Sequence, residues 1–126
     1  MLKPIPSSML KDSAVFHVPQ GMDEWQNKTY KHYAVSNVHL QGSNVTSKSS
    51  SNTEVALRAI LFVDARKSLP VYDYDAMQAE AQANGGVMTV TVTDAHGRSN
   101  DYTVLVVDTI PNVPAETIHH TEIGLV

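Results

Sequence analysis

Apolar and polar side chains alternate along most of the chain, and this period of two predicts β-strands. The clearest alternation spans residues 54–64, whose expected core face consists of Val55, Leu57, Ala59, Leu61 and Val63. For residues 29–40 we expect a core face of Ala34, Ser36, Val38 and Leu40. Shorter β-prone runs occupy residues 14–18, 87–93, 102–107 and 116–126.

Turn and helix signals separate these runs. Asp94-Ala95-His96-Gly97 is a turn sequence, so residues 87–108 are expected to form a β-hairpin. Residues 76–83 are rich in Ala and lie between Asp75, a candidate N-cap, and the stop signal Asn84-Gly85-Gly86. This arrangement predicts one short helix.

Two segments lack any periodic pattern. Residues 1–13 contain two prolines, which predicts an extended N-terminal arm. Residues 41–53 have Val45 as their one large apolar side chain, so they can bury little surface and are expected to form a mobile loop between two strands. A loop of this length is uncommon in a small domain unless it is functional or disordered.

The pattern as a whole predicts a mainly β fold. About six strands, one short helix and a long polar loop suggest a small antiparallel β-barrel or sandwich. A length of 126 residues allows one domain, so residues 1–126 are expected to share a single core, with an arm over residues 1–13 and a mobile loop over residues 41–53.

Composition removes several classes of protein. The chain has no cysteine, which excludes disulfides, thiolate metal sites and cysteine nucleophiles. It has no apolar run near the roughly 20 residues of a membrane span and no apolar N-terminal block, so we expect a soluble protein that is not secreted. A net charge of −4 argues against a protein that coats nucleic acid.

The charge is unevenly distributed along the chain. Residues 1–67 carry eight basic and five acidic side chains, a net charge of +3, whereas residues 68–126 carry one basic and eight acidic side chains, a net charge of −7. A β-fold can interleave the two halves in space, which is the simpler expectation. The alternative is a molecule with a basic and an acidic face, suited to stacking between different partners.

Candidate chemistry is sparse. The densest polar cluster is Ile118-His119-His120-Thr121-Glu122, in which His120 and Glu122 share one face of a strand. Two ligands do not make a catalytic zinc site, which needs three from the protein. No G-x-S-x-G elbow and no glycine-rich phosphate loop is present. We therefore predict no catalytic, metal-binding or cofactor-binding residue, and no enzyme.

Trp25 is the only tryptophan and lies in a predicted turn beside Asp23 and Glu24. Two interpretations stay open. Trp25 either folds back over the end of the barrel, which is the favoured one, or anchors a contact with another molecule, as aromatic residues on loops often do.

Three segments together carry a resemblance to a known family. MLKPIPSSMLKDSAVFH at residues 1–17, ALRAILFVDARKS at 56–68 and IHHTEIGLV at 118–126 resemble the small minor capsid proteins encoded in the head-morphogenesis genes of tailed bacteriophages and prophages of Gram-positive bacteria. These proteins look like head-completion, or stopper, proteins of the phage neck.

The resemblance implies a structural virion protein, made in the host cytoplasm and located at the head–tail interface. It implies a dodecameric ring between portal and adaptor proteins above and a tail-completion protein below. The ring retains packaged DNA without sequence specificity, and it has no cofactor and no membrane partner. The alternatives are an adjacent neck or tail-completion ring protein, or a small carbohydrate- or peptide-binding β-module.

Two groups of residues follow from this interpretation. The expected channel or gating loop consists of Gly42, Ser43, Asn44, Val45, Thr46, Ser47, Lys48, Ser49, Ser50, Ser51 and Asn52. The expected assembly contacts are Leu2, Pro4, Ile5, Pro6, Trp25, His119, His120, Glu122 and Leu125.

Overall fold

A computed structural model describes residues 7–22, 24–42, 46–48, 54–111 and 118–126. After a 3-10 turn at Ser7–Met9, the elements are β1 (Asp12–Met22), β2 (Lys28–Gly42), β3 (Thr46–Lys48), β4 (Glu54–Ala56), β5 (Ala59–Asp64), α1 (Tyr74–Ala83), β6 (Thr89–Thr93), β7 (Ser99–Pro111) and β8 (Ile118–Leu125). None of the helices in these ranges is long and apolar enough to cross a membrane.

Six of the strands form one closed antiparallel barrel. Its order is β1-β2-β5-β8-β7-β6, and β6 pairs back onto β1. Strands β3 and β4 form a separate two-stranded sheet. The prediction of a mainly β fold with about six barrel strands and one short helix is confirmed.

The barrel interior is filled by the inward face of every strand. Leu57, Ala59, Leu61 and Val63 are all buried, as the alternation of residues 54–64 predicts, although Leu57 and Arg58 interrupt the predicted single strand and divide it into β4 and β5. The largest fully buried apolar side chains are Phe16, Leu61, Met88, Ile123 and Leu125. Leu125 therefore has no surface for a neighbouring molecule, which corrects its expected role as an assembly contact.

The part of strand β2 before Val38 turns a different face to the core from the one its alternation predicts, whereas Val38 itself is buried as predicted. Val35 and Val38 are buried, whereas Ala34 and Ser36 are exposed. The reason is a β-bulge, because Asp12 pairs with Val38 while the next residue of β1 pairs with Ser36. Asn37, the extra residue, has a positive φ of 59°, a conformation that Asn tolerates better than most residues.

The predicted arm at residues 1–13 overlaps the first barrel strand. Strand β1 already begins at Asp12, Leu10 is buried, and a carboxylate oxygen of Asp12 accepts a hydrogen bond of 2.9 Å from the Leu40 amide. Residues 1–6 of the arm lie outside the described part of the chain.

Helix α1 covers one end of the barrel. Tyr74, Met77 and Ala81 are buried, and the Tyr74 ring packs 5.1 Å from the Phe16 ring between centroids. Its N-cap is Asp73 rather than the predicted Asp75, because the Asp73 side chain accepts a hydrogen bond from the Ala76 amide.

The helix ends at the predicted stop. Gly85 adopts a φ of 74°, which favours glycine, and the Gly86 amide donates to the Ala81 carbonyl at 2.9 Å. The predicted turn between β6 and β7 is also confirmed. One Asp94 oxygen accepts from the amides of His96 and Arg98, and these hydrogen bonds, chiefly the one from Arg98, lower the pKa of Asp94.

The buried face of β5 generates a stability prediction. Leu61→Ala removes a side chain with no exposed surface, so we expect the free energy of unfolding to fall by about 2 to 5 kcal/mol. Urea denaturation followed by circular dichroism measures this. The control Val87→Ala alters a side chain that is 56% exposed and is expected to change the free energy by less than about 0.5 kcal/mol. Equal effects of the two substitutions would contradict the assigned core.

Candidate functional site

The described residues of the predicted loop at residues 41–53 follow the paired part of β2 at one end of the barrel, before β5 starts. Its described residues are strands: Gln41 and Gly42 pair with β5, and Thr46–Lys48 pair with Glu54–Ala56 as β3 and β4. The expected mobile loop therefore contains strand residues at its described positions, because backbone pairing does not require apolar side chains. Residues 43–45 and 49–53 lie outside the described part of the chain.

The β1–β2 hairpin lies at the opposite end, because antiparallel β2 runs from this hairpin to the polar segment. Its tip exposes three large apolar side chains, at 77% for Trp25, 65% for Met22 and 44% for Tyr30. The favoured expectation that Trp25 folds back over the barrel end is therefore wrong. The hairpin extends past the barrel, since β5 pairs with β2 only from Val38 onwards and β6 pairs with β1 only up to His17.

The order of the barrel strands keeps the two halves of the chain apart in space. Strands β1, β2 and β5 come from the basic half of the chain and lie side by side, and the acidic half supplies β8, β7 and β6, which also lie side by side. We call these two surfaces the basic wall and the acidic wall. The expectation that the fold interleaves the two halves is therefore wrong.

Exposed charged side chains lie on both walls. Lys28 and Lys31 lie on the part of β2 that extends past the barrel, and Asp101 and Asp108 lie on β7 in the acidic wall. Among the six strands of the ring, β2 and β7 occupy opposite positions, with two strands between them on either side. The exposed lysines of β2 and the exposed aspartates of β7 are thus on strands that occupy opposite positions in the ring.

The predicted His120 and Glu122 pair is on one face of β8, with His120 Nε2 3.2 Å from a Glu122 carboxylate oxygen. His119 and Thr121 point to the other, buried face. Across the β7–β8 ladder, Glu122 is directly opposite Asp108, and like charges in this position are destabilising. We call Asp108 and Glu122 the acidic pair.

These residues do not form a metal centre. In the described ranges, no group of three or more His, Cys, Asp or Glu is arranged to hold a metal ion. Around His120, the Nδ1 atom is 2.7 Å from His119 Nδ1, and the ring packs 6.1 Å from the Phe62 ring between centroids. The geometry thus supports a partly buried, hydrogen-bonded cluster on the outside of the barrel.

A second polar network crosses four adjacent strands, and the sequence analysis missed it. His17 Nδ1 is 2.7 Å from His32 Nδ1, His17 Nε2 is 3.0 Å from Thr91 Oγ1, and Thr91 Oγ1 donates to Asp101 at 2.6 Å. His17 and His32 are paired residues of the β1–β2 hairpin. A sequence prediction that placed the turn of this hairpin correctly would therefore have paired the two histidines.

The order of donors in this network differs from that of a hydrolase triad. Because the Thr91 hydroxyl donates its proton to the hydrogen bond with Asp101, the Thr91 oxygen accepts a hydrogen bond from His17 Nε2–H. His17 Nδ1 then accepts a hydrogen bond from His32. In a Ser-His-Asp triad the histidine instead accepts the hydroxyl proton. The network thus ties the basic wall to the acidic wall and does not activate Thr91.

His17 is neutral in this arrangement. Burial, and then the nearby His32, lower the pKa of His17 below its ordinary value of 6.5, while Asp101 acts in the opposite direction. The protonated form is thus disfavoured in the folded protein.

The covered barrel end contains a small cavity beside Tyr74. Its volume is about 40 Å³, and Asp64, Ser68 and Thr121 contribute to its lining. Within the described residues, the buried Tyr74 hydroxyl has no hydrogen-bond partner, and burial raises its pKa well above the ordinary value, with Tyr72 adding to the effect. A cavity of this size suits water and is too small for a drug-sized ligand.

Asp64 and Ser68 have structural roles at this end. The Asp64 carboxylate accepts hydrogen bonds from the amides of Arg66 and Lys67, and the Ser68 hydroxyl donates to the Asn37 carbonyl. The segment ALRAILFVDARKS therefore forms the core strand β5 and the turn that supports the bulge in β2.

An open groove of about 430 Å³ lies between α1, the connection from α1 to β6, and strand β7. Its lining includes Gln78, Gln82, Val87 and Leu105, and no aromatic side chain among the described residues contributes to it. The exposed aromatic residues Trp25 and Tyr30 are instead on the β1–β2 hairpin. The groove thus lacks the aromatic platform on which a carbohydrate-binding module stacks sugars.

Of the expected assembly contacts, Leu2, Pro4, Ile5 and Pro6 lie outside the described residues. Trp25 is exposed on the hairpin, His120 and Glu122 are partly exposed on β8, and His119 and Leu125 are buried. Comparison with protein-family models, curated proteins and solved structures finds no match to the chain.

The His17 network generates a pH prediction. Because the pKa of His17 is lowered on folding, the unfolded chain binds more protons below pH 6.5, and stability is lost as the pH falls through the window below that value. We expect His17→Gln to reduce this loss, as measured by urea denaturation at several pH values between about 5 and 8. His96→Gln, in the exposed β6–β7 turn, is the control and should keep the wild-type profile. An unchanged profile for His17→Gln would contradict the assigned network.

Proposed function

We propose that the chain is a head-completion protein of the neck of a tailed bacteriophage, where copies form a ring that closes the DNA channel and supports the tail. The single observation that carries the proposal is that one small barrel has two unlike ends and, on strands β2 and β7 in opposite positions of the ring, exposed lysines and exposed aspartates. A ring component needs lateral surfaces for its neighbours and axial surfaces for the rings above and below it.

The lateral surfaces are the two walls. Each copy offers a basic wall to one neighbour and an acidic wall to the next, which suits a head-to-tail ring. Charge complementarity of this kind steers association and selects the partner surface. The sequence resemblance to phage minor capsid proteins is the second support.

The axial surfaces are the two barrel ends. Strands β3 and β4 come between β2 and β5 at one end, in a stretch of sequence rich in Ser, Thr and Asn that can contact DNA phosphates without reading the base sequence. The apolar hairpin tip with Trp25 and Met22 lies at the other end, where it suits contact with another protein.

Removal of the protein from the phage that encodes it tests this function. We expect filled heads that lose their DNA and do not bind tails, observed by electron microscopy and as DNA sensitive to nuclease. Tailed particles that retain DNA without the protein would contradict the proposal. Stable, DNA-filled heads that lack tails would instead support the alternative of a tail-completion ring.

A deletion tests the role of the polar segment by itself. Removing residues 43–52 leaves the β2–β5 ladder intact, so we expect a folded barrel by circular dichroism together with heads that lose DNA. A variant with a Gly/Ser segment of the same length is the control that separates segment length from side-chain chemistry. An unfolded deletion variant would show that the segment is structural, and full DNA retention would exclude it from channel closure.

A further inference from the structure

The first half of β2 has an open edge. Along Lys28–Ala34 one side of β2 pairs with β1, and no strand of the described residues pairs with the other side before Val38, apart from the single bridge between Ser36 and Leu69. On that other side, the Ser36 amide and carbonyl bond to Leu69, and the Ala34 carbonyl accepts from the Tyr72 hydroxyl.

The backbone direction of the remaining residues follows from this pattern. Alternate residues of a strand direct their N–H and C=O groups to the same side, so Lys28, Tyr30 and His32 direct theirs to the open edge. Unpaired strand edges of this kind are templates for another chain.

The charge of this edge restricts the partner. Lys28 and Lys31 are exposed on it, so pairing of the edge with the same edge of a second copy brings positive charges together. A symmetric dimer through β2 is therefore disfavoured, and an acidic surface is favoured. Such a surface is present on the same molecule, in the acidic pair Asp108 and Glu122 on β7 and β8.

The positions of the two surfaces determine the kind of assembly. Strands β2 and β7 occupy opposite positions in the barrel, so the two surfaces of one copy cannot contact each other. A contact between unlike surfaces on opposite sides repeats from copy to copy and generates a ring or an open chain.

We propose that the open edge of β2, with Lys28 and Lys31, binds the acidic pair Asp108 and Glu122 of the next copy of this chain. The choice of a second copy as the partner rests on the ring assembly proposed above. The contact brings the two lysines to the two carboxylates and covers the backbone groups that Lys28, Tyr30 and His32 direct to the open edge.

Charge reversal tests the contact in solution. We expect the wild-type chain to associate at low ionic strength in sedimentation experiments, and the dissociation constant to rise about tenfold or more in Lys28→Glu/Lys31→Glu and in Asp108→Lys/Glu122→Lys. An equal mixture of the two variants restores attraction at each contact, so we expect the mixture to associate. Circular dichroism verifies that each variant is folded.

A matched control has the same change of net charge as Lys28→Glu/Lys31→Glu. Lys11→Glu/Arg98→Glu alters two exposed cations at the barrel end from which β1 starts, and we expect it to associate like the wild type. If this control also loses association, or if the mixture of variants does not associate, then net charge alone explains the weakened association and the proposed contact is overturned. A wild-type chain that stays monomeric at low ionic strength at every concentration would also overturn it.

Cysteine cross-linking tests the geometry, and the natural chain contributes no background because it has no cysteine. A variant with both Lys31→Cys and Asp108→Cys should form a ladder of covalent multimers with a short thiol cross-linker, whereas each single variant should stay monomeric. Efficient dimerisation of Lys31→Cys alone would show symmetric pairing of β2 edges and overturn the proposal.

These results are separable from the phage experiment. Failure of cross-linking while removal of the protein still causes loss of DNA would reject this contact and leave the neck function in place. Successful cross-linking, combined with normal tailed particles when the protein is removed from the phage, would support this contact and reject the neck function.

Discussion

The pairing of β6 with β1 is the constraint on which the rest of the structure depends. Residues Ser13 to His17 pair with Thr89 to Thr93, and this ladder closes six strands into a ring. Closure removes two sheet edges and encloses the core around Phe16, Leu61 and Ile123. It also defines two ends and a circumference, so every exposed feature is either axial or lateral.

Closure in this strand order also explains the electrostatic asymmetry. Strands β1, β2 and β5 follow one another and pair in that order, and the connection through α1 then starts the second group next to β1. The barrel strands of the two halves of the chain consequently stay on separate sides, with Lys28 and Lys31 exposed on β2 and Asp101 and Asp108 exposed on β7. Because β2 and β7 are opposite one another, the barrel has the polarity that a head-to-tail assembly requires.

The polar clusters of the described residues hold strands and turns together. The network from His32 through His17 and Thr91 to Asp101 crosses four strands, and Asp64 orders the turn after β5. What stays exposed is an apolar hairpin tip, a basic strand edge and an acidic pair. These features are typical of a protein that acts through contacts with other macromolecules, and they underlie the proposed position in a phage neck.

The sequence by itself determined the features that depend on near neighbours: the alternation that buries Leu61 and Val63, the helix stop at Asn84-Gly85-Gly86, and the common face of His120 and Glu122. Only the tertiary structure decided which strands are adjacent. The bulge at Asn37, the exposure of Trp25 and the network of His17 and Thr91 follow from pairings between distant segments, and no local pattern contains that register. The separation of the two halves of the chain into two walls has the same origin, because it depends on which strands pair with each other.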